Sequence, residues 1–352
     1  MAIKTLNIDA ETLSASLQSV HKSWRDTNHT STPFLTAHDE VHGKGKPNKP
    51  GGPRWLYPIG IGNHSVTTEV ISGYEEINLE VEGILEPAVF TPAHALRPVV
   101  ISGEEEEMNG LGELQIIDIA KARLEKVLAA LRRELEQQVW KGGQVGWSRW
   151  ETLNGLDTGT GFLEENASSG QTNVIGGVSR VTHAGVHGLT NIRYDFNNTF
   201  NSTGLTGLNR MKLEMMAYSD GVDEKLRGFA SISGMENYKR SLQAYERYVD
   251  KKELDAGNLA LGHAGTSIVP NLYMPDDGAT TTGTPVSFVF LNFAGVYLCW
   301  SKAKYDGFFG MSQWGPVAGN YDILHCKCRV RGQLVMDGKM DNSAVGVKGE
   351  QY

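Results

Sequence analysis

The 352-residue sequence holds only three cysteines, Cys299, Cys326 and Cys328. Three thiols make no disulfide framework and suit a reducing compartment. No stretch approaches the ~18 consecutive apolar residues of a membrane span. The opening MAIKTLNIDAETLSASL lacks the apolar core of a secretion signal, so cytoplasmic synthesis is expected. The Asn-x-Ser/Thr triplets at Asn28, Asn63, Asn166, Asn197 and Asn201 then read as coincidence rather than glycosylation sites. A basic excess is missing too. Against 33 Lys and Arg stand 41 Asp and Glu, a net charge of -8, which speaks against a general grip on nucleic acid or a membrane surface.

Recognisable catalytic signatures are also missing: no P-loop, no GxSxG and no HxE…CxxC occurs. HAGVH (His183, His187) has the histidine spacing of a zinc-protease helix, but Ala184 stands where the catalytic glutamate belongs and Gly185 weakens the helix. HCKC (His325–Cys328) falls on an expected strand, which puts Cys326 and Cys328 on one face and His325 on the other. Two thiols without a second pair cannot fill a tetrahedral zinc shell, so they read as small buried hydrophobes. GLDTGTGF is no dinucleotide fingerprint, because the third glycine of GxGxxG is absent and no clear strand precedes it. The run Glu104–Glu107 reads as an acidic helix start. No catalytic residue, metal ligand or cofactor is expected.

What the chain does contain is architectural. Leu13, Leu17, Val20 and Trp24 recur at helical spacing, and HGKGKPNKPGGPR (His42–Arg54) follows as a linker. The first fifty residues therefore read as an arm with nothing of its own to bury, mobile or ordered against another subunit. From Trp55 to Ile101 the pattern is β. In INLEVE, Ile77, Leu79 and Val81 alternate with Asn78, Glu80 and Glu82, and SGYEE supplies a turn back to HSVTTEVIS. That is a long hairpin with one apolar face, which must be laid on something.

SGEE (Ser102–Glu105) has capping-box spacing, so a short helix is expected there. A long amphipathic helix over Gly112–Trp140 follows. Its stripe runs through Leu114, Ile117, Ala120, Leu124, Leu128, Leu131, Leu135 and Val139, and Lys121/Glu125 and Arg132/Glu136 are expected as i,i+4 pairs on the solvated face. A charge placed at Leu128 is expected to prevent folding. After Trp150 the chain mixes the two patterns. Helix is expected over Leu208–Gly221 and from Gly234, strands in GFASIS, GTSIVPNLYM and SFVFLNFAGVYLCW, and one long late strand in YDILHCKCRVRGQLVM. The class is α+β. An arm and an apolar ribbon that one subunit cannot cover point to a closed assembly of many copies.

In this order the segments resemble the major capsid proteins of tailed bacteriophages, the Hong Kong 97-type fold. GYEEINLEVEGILEPAVF resembles the E-loop hairpin, and LRPVVISGEEEEMNGLGELQIIDIAKARLEKVLAALRRELEQQVW the strand and spine helix of the peripheral domain. GFASISGMENYKRSLQAYERY and GTSIVPNLYM resemble the axial domain, and VYLCWSKAKYDGFF with NYDILHCKCRVRGQLVM the return strands. The resemblance implies an N-terminal arm (1–50), E-loop hairpin (51–101), peripheral domain with spine helix (102–149), axial domain (150–300), return strands (301–335) and C-terminal segment (336–352). It implies hexamers and pentamers of an icosahedral virion head enclosing double-stranded DNA, assembled in the host bacterial cytoplasm. The subunit interface would include Tyr74, Ile77, Leu79, Val81 and Leu85. Partners would be other copies, portal and scaffolding or cement proteins, and DNA by weak non-specific contact, with no membrane. Some members crosslink a lysine near the E-loop tip to a neighbour's asparagine. The tip SGYEE has no lysine, so such a crosslink is not expected despite Asn320. An encapsulin-like nanocompartment and a cytosolic enzyme with an unrecognised site are the alternatives.

Overall fold

The computed structural model describes residues 31–43, 48–49, 52–60, 85–108, 119–141, 150, 153, 174–179, 192–195, 200–218, 225–243, 261–263, 265–274, 286–301, 310–311, 314–317, 320–336 and 343–347. The chain divides into two compact units. One comprises 1–31, 95–134 and 304–330, the other 32–94, 135–303 and 331–352.

The larger unit contains a six-stranded sheet. Its order is Ile192–Asp195, Ser343–Val347, Val286–Asn292, Leu226–Ala230, Thr266–Pro270, Leu261–His263. Two of its pairings are parallel, Thr266–Pro270 on Leu226–Ala230 and Ser343–Val347 on Ile192–Asp195. The helices Phe200–Tyr218 and Ile232–Gln243 supply Leu208, Met211, Met215, Met235 and Tyr238 to a core shared with Ile268, Phe288 and Phe290. Gly228 sits under that layer because a Cβ would lie 2.9 Å from Ile268 and 3.0 Å from the Phe290 ring. The last strand, Ser343–Val347, comes from DNSAVGVKG, where small residues and glycine hide any period of two.

Elsewhere in this unit Trp55–Gly60 and Leu85–Phe90 form an antiparallel ribbon, in register from Trp55↔Phe90 to Gly60↔Leu85. Val296–Ser301 runs antiparallel to the end of the long strand Asn320–Met336, with Trp300 opposite Gly332. Only glycine fits at 332, since a Cβ would meet the Cys299 carbonyl oxygen at 2.6 Å. Val286–Asn292 and Val296–Ser301, expected as one strand, are two strands of different sheets joined by the turn Phe293–Gly295.

The arm also needs correcting. Residues 33–42 form a helix whose Phe34, Leu35, Ala37 and His38 are buried, so this part is core rather than arm. Pro33 opens it, which suits the first helical position, and Gly43 closes it at φ 72° with its N–H donating to the Asp39 carbonyl oxygen. The stripe was obscured because His38 stands on its apolar side. Asn48–Lys49, expected as linker, forms a two-residue strand parallel to Trp300 and Ser301. The proposed helix through Leu13, Leu17, Val20 and Trp24 lies outside the described residues.

In the smaller unit, Ala95–Ser102 belongs to a strand paired with the long strand, which also holds Gly310–Met311 and Gly315–Val317. Cys326 and Cys328 are buried on one face of it, as the alternation predicts. The half-buried His325 Nδ1 lies 2.9 Å from the Gly315 carbonyl oxygen. The capping box is present: the Glu105 N–H donates to Ser102 Oγ at 3.3 Å and the Ser102 N–H to Glu105 Oε2 at 3.2 Å, opening the helix Gly103–Met108. The long helix, which belongs to this unit up to Glu134 and to the larger one from Leu135, is described over Ile119–Lys141 and at ~1.5 Å per residue spans roughly 35 Å. Leu114 and Ile117 of its expected stripe lie outside the described residues.

Candidate assembly surfaces

The ribbon separates two apolar faces. One buries Trp55, Tyr57, Ile59, Ala88 and Phe90, with Tyr57 and Phe90 edge to face at 5.8 Å. The Tyr57 hydroxyl donates to Cys299 Sγ at 3.5 Å, and burial pushes its pKa far up. The other face presents Leu56, Pro58, Leu85 and Pro87 to solvent with Val89 half-buried. Leu56 is 63% exposed and Leu85 65%, and among the described residues of the two paired strands this face holds no charged one. Strands Trp55–Gly60 and Leu85–Phe90 leave and rejoin at paired positions, so segment 61–84 starts and ends side by side. Of the residues expected at a subunit interface, Leu85 is described, at the exposed start of its strand. Tyr74, Ile77, Leu79 and Val81 lie outside the described residues.

The strand Ala93–Ser102 alternates in the same way. Ala95, Val99 and Ile101 are buried, while Leu96 and Val100 are each 45% exposed. Behind it Arg123 grips Glu105 through two 2.7 Å hydrogen bonds and donates a third to the Val100 carbonyl oxygen. The guanidinium holds the Glu105 carboxyl below the usual carboxylate range.

Glu136, expected on the solvated face beside Arg132, is instead fully buried. Its Oε1 accepts from the Phe34 N–H at 2.9 Å, Trp140 Nε1 at 3.1 Å and Asn271 Nδ2 at 2.7 Å, and its Oε2 from the Leu35 N–H at 3.0 Å. Burial pushes its pKa up to about 7 against the pull of these four donors. A signal was available: Trp140, four residues on, widens the apolar arc around Leu135 and Val139 until Glu136 falls inside it.

A second buried polar pair lies in the larger unit. Tyr238 Oη lies 3.1 Å from His263 Nδ1, with burial raising the tyrosine to about 12 and, with the charge of Lys212, lowering the histidine. Among the described residues no three His, Cys, Asp or Glu side chains gather as a metal-binding group. His183 and His187 lie outside them. No helix in the described residues is long and apolar enough to cross a membrane.

No protein-family model and no curated protein matches the sequence. Solved structures do. A chain of the Cyanophage A-1(L) capsid asymmetric unit superposes with a TM-score of 0.63 at 12% identity, covering 93% of this chain and 95% of that one. A chain from the capsid of a native GTA particle gives 0.56 at 10% identity, with 95% of each chain covered. The capsid of Cyanophage P-SCSP1u gives 0.51 at 15% identity over 95% of this chain and 93% of that one. The chain therefore has the fold of these capsid proteins over nearly its whole length, the Hong Kong 97-type fold that its sequence resembles.

Proposed function

We propose that the chain is a major capsid protein, which self-assembles as hexamers and pentamers into the icosahedral head of a bacteriophage and encloses double-stranded DNA. One observation carries the reading: the match to a cyanophage capsid chain extends over 93% of this chain and 95% of that one. A fold hosts many functions, but here the neighbours cited are all capsid chains, and two strands of the described residues carry exposed apolar side chains. In this reading the protein works by assembly rather than catalysis.

Segment 61–84 on its ribbon root is the E-loop laid across an adjacent subunit, with Tyr74, Ile77, Leu79, Val81 and Leu85 at the interface. The helix Ile119–Lys141 is the spine of the peripheral domain, and Asn320–Met336 its return strand. The axial domain takes in 150–300 and gains Ser343–Val347 as a strand, while the burial of Phe34 shortens the arm to 1–31. Portal and scaffolding or cement proteins are further partners, and the net charge of -8 suits loose, non-specific contact with the genome. The protein is a virion component assembled in the host bacterial cytoplasm, away from membranes.

Gel filtration and electron microscopy of the expressed chain test this. Megadalton particles or ring-shaped capsomers are expected, and discrete small oligomers at high concentration overturn it. Leu79→Glu with Val81→Glu is expected to leave subunits soluble without particles. Normal particle yield in that variant removes the hairpin from the interface.

A further inference from the structure

We propose that the helix Pro33–His42 is held by an acid-sensitive latch: His38 secures it to the strand Val296–Ser301 only while one ring nitrogen is bare, and a proton there releases it. The inference stands apart from the shell reading and concerns the larger unit alone.

His38 is fully buried, and its Nε2 lies 3.2 Å from the Leu298 backbone nitrogen. A backbone N–H can only donate, so Nε2 is the acceptor and the proton of the neutral ring sits on Nδ1. That side faces Asp39 Oδ1 at 3.8 Å, near enough for its charge to be felt and too far for a hydrogen bond. A second proton has only Nε2 to go to. There it deprives the Leu298 N–H of its acceptor and sets two donors face to face inside the core. One turn on, His42 packs on His38 with ring centroids 4.9 Å apart, and its Nε2 donates to the Phe293 carbonyl oxygen at 2.7 Å. Both rings also lie against the Phe293 ring, His38 at 6.0 Å and His42 at 6.5 Å. The helix thus meets the turn Phe293–Gly295 and the strand after it through two imidazoles.

The charged groups around the pair fix the sign. Asp39 attracts a proton to His38, but it is the next residue of the helix and stays beside it whether the helix is docked or free. The Leu298 N–H and the loss of water act in the docked state alone, so acid favours release. His42 works in the same sense. Burial, the charge of a protonated His38 and Lys225 lower its pKa against the pull of the Phe293 carbonyl, so its contribution is lost as pH falls. Arg227, on the strand after Lys225, is offset by Glu40 at 4.0 Å. At the first turn Glu136 accepts the Phe34 and Leu35 N–H groups, and its raised pKa acts in the opposite sense, so it is not the source of an acid release.

Amide hydrogen exchange on the full-length chain reads the latch, with rates corrected for the intrinsic effect of pH. From about pH 7.5 to about pH 5, the span over which imidazoles titrate, protection of Pro33–His42 and of Leu298 should fall by on the order of tenfold or more. The strand Thr266–Pro270 should keep its protection. His38→Gln presents an oxygen to the Leu298 N–H and takes no proton over this span, so its helix should stay protected at the acid end. A wild-type helix that stays protected in acid overturns the proposal, and so does an equal loss in His38→Gln. Equal loss in Thr266–Pro270 overturns it too, because that is unfolding of the whole unit. Should His38→Gln not fold, the wild type still decides through exchange at the His38 ring carbon Cε1, whose pH profile reports the protonation of that ring. Release of the helix must coincide with that step, and a helix that stays docked on a protonated His38, or leaves while the ring is neutral, ends the proposal.

Discussion

Leu124 and Leu128 on the long helix are half-buried, whereas Leu135, Val139 and Trp140, two to four turns further along, are shut away completely. The stripe is one repeat throughout, but it meets two environments. At its end the chain supplies its own cover: the Leu153 N–H donates to the Val139 carbonyl oxygen at 2.7 Å, and Phe34 and Phe229 close over Trp140. Over Leu124 and Leu128 the described residues leave apolar surface in water. The lesson is that periodicity reports which face of a helix is apolar, while the partner that covers it can belong to the same chain or to another.

The sharpest break of this comparison is Leu135→Asp. An unpaired carboxylate at a fully buried position should cost about 4 kcal/mol or more, enough to unfold the larger unit, as loss of its cooperative thermal transition would show. A native melt would mean that this end of the helix is not sealed. Next comes Gly332→Ala. Its new methyl would lie 2.6 Å from the Cys299 carbonyl oxygen and 2.7 Å from the Trp300 ring, and neither backbone nor indole can step aside cheaply. Overpacking of that kind should cost about 1–3 kcal/mol in denaturant titration.

Titration of Glu136 probes the sealed end more gently. Its pKa is raised from the ordinary 4.5 to about 7, so the folded state holds its proton more tightly than the unfolded chain does. The contribution is therefore full below the unfolded value and is lost as pH climbs through about 7. His42 and His263 run the other way: burial lowers both, so their contribution fades as pH falls. The wild-type melting temperature minus that of Glu136→Gln isolates the carboxylate, and should shrink as pH goes from about 5 to about 8. A difference that grows over that range contradicts the raised pKa.

Where one residue type answers one local question, the sequence was readable. The reciprocal Ser102 and Glu105 bonds follow from four letters, and the burial of Cys326 and Cys328 from a period of two. The long helix and the late seventeen-residue strand are legible for the same reason, strong repeats over many residues. What escaped depends on residues distant in sequence. Phe34 is core because Trp140, Phe229 and Phe293 surround it, and nothing near position 34 encodes them. Glu136 looks like half of an ion pair until the donors from Phe34 and Asn271 arrive. Of the candidate interface, the alternation in INLEVE marks an apolar face, but no local pattern can say what lies against it.

Leu128→Asp tests the open half. The expectation from the stripe alone, that a charge there prevents folding, gives way to a smaller one, because the half-buried position lets a carboxylate reach water. The soluble chain should lose about 1 kcal/mol and keep its helical circular dichroism, while particle formation suffers. Collapse of the fold would return Leu128 to the sealed class.

The smallest effect on stability, and the most informative about the surface, belongs to Leu56→Glu. Leu56 stands on the outer face of the ribbon, opposite Val89 and flanked by Tyr57, whose ring turns inward to Phe90 and Cys299. Replacing it disturbs none of those contacts, and a glutamate there is hydrated, so the free subunit should change by no more than about 0.5 kcal/mol. Assembly is another matter. If a neighbouring copy lies on Leu56, Pro58, Leu85 and Pro87, the new charge must be stripped of water in a contact that is apolar on this side. A subunit that melts like the wild type but forms no particles identifies this strip as a contact between copies. One that melts and assembles like the wild type leaves the root of the ribbon bare in the shell, and confines the contact to the loop beyond Gly60.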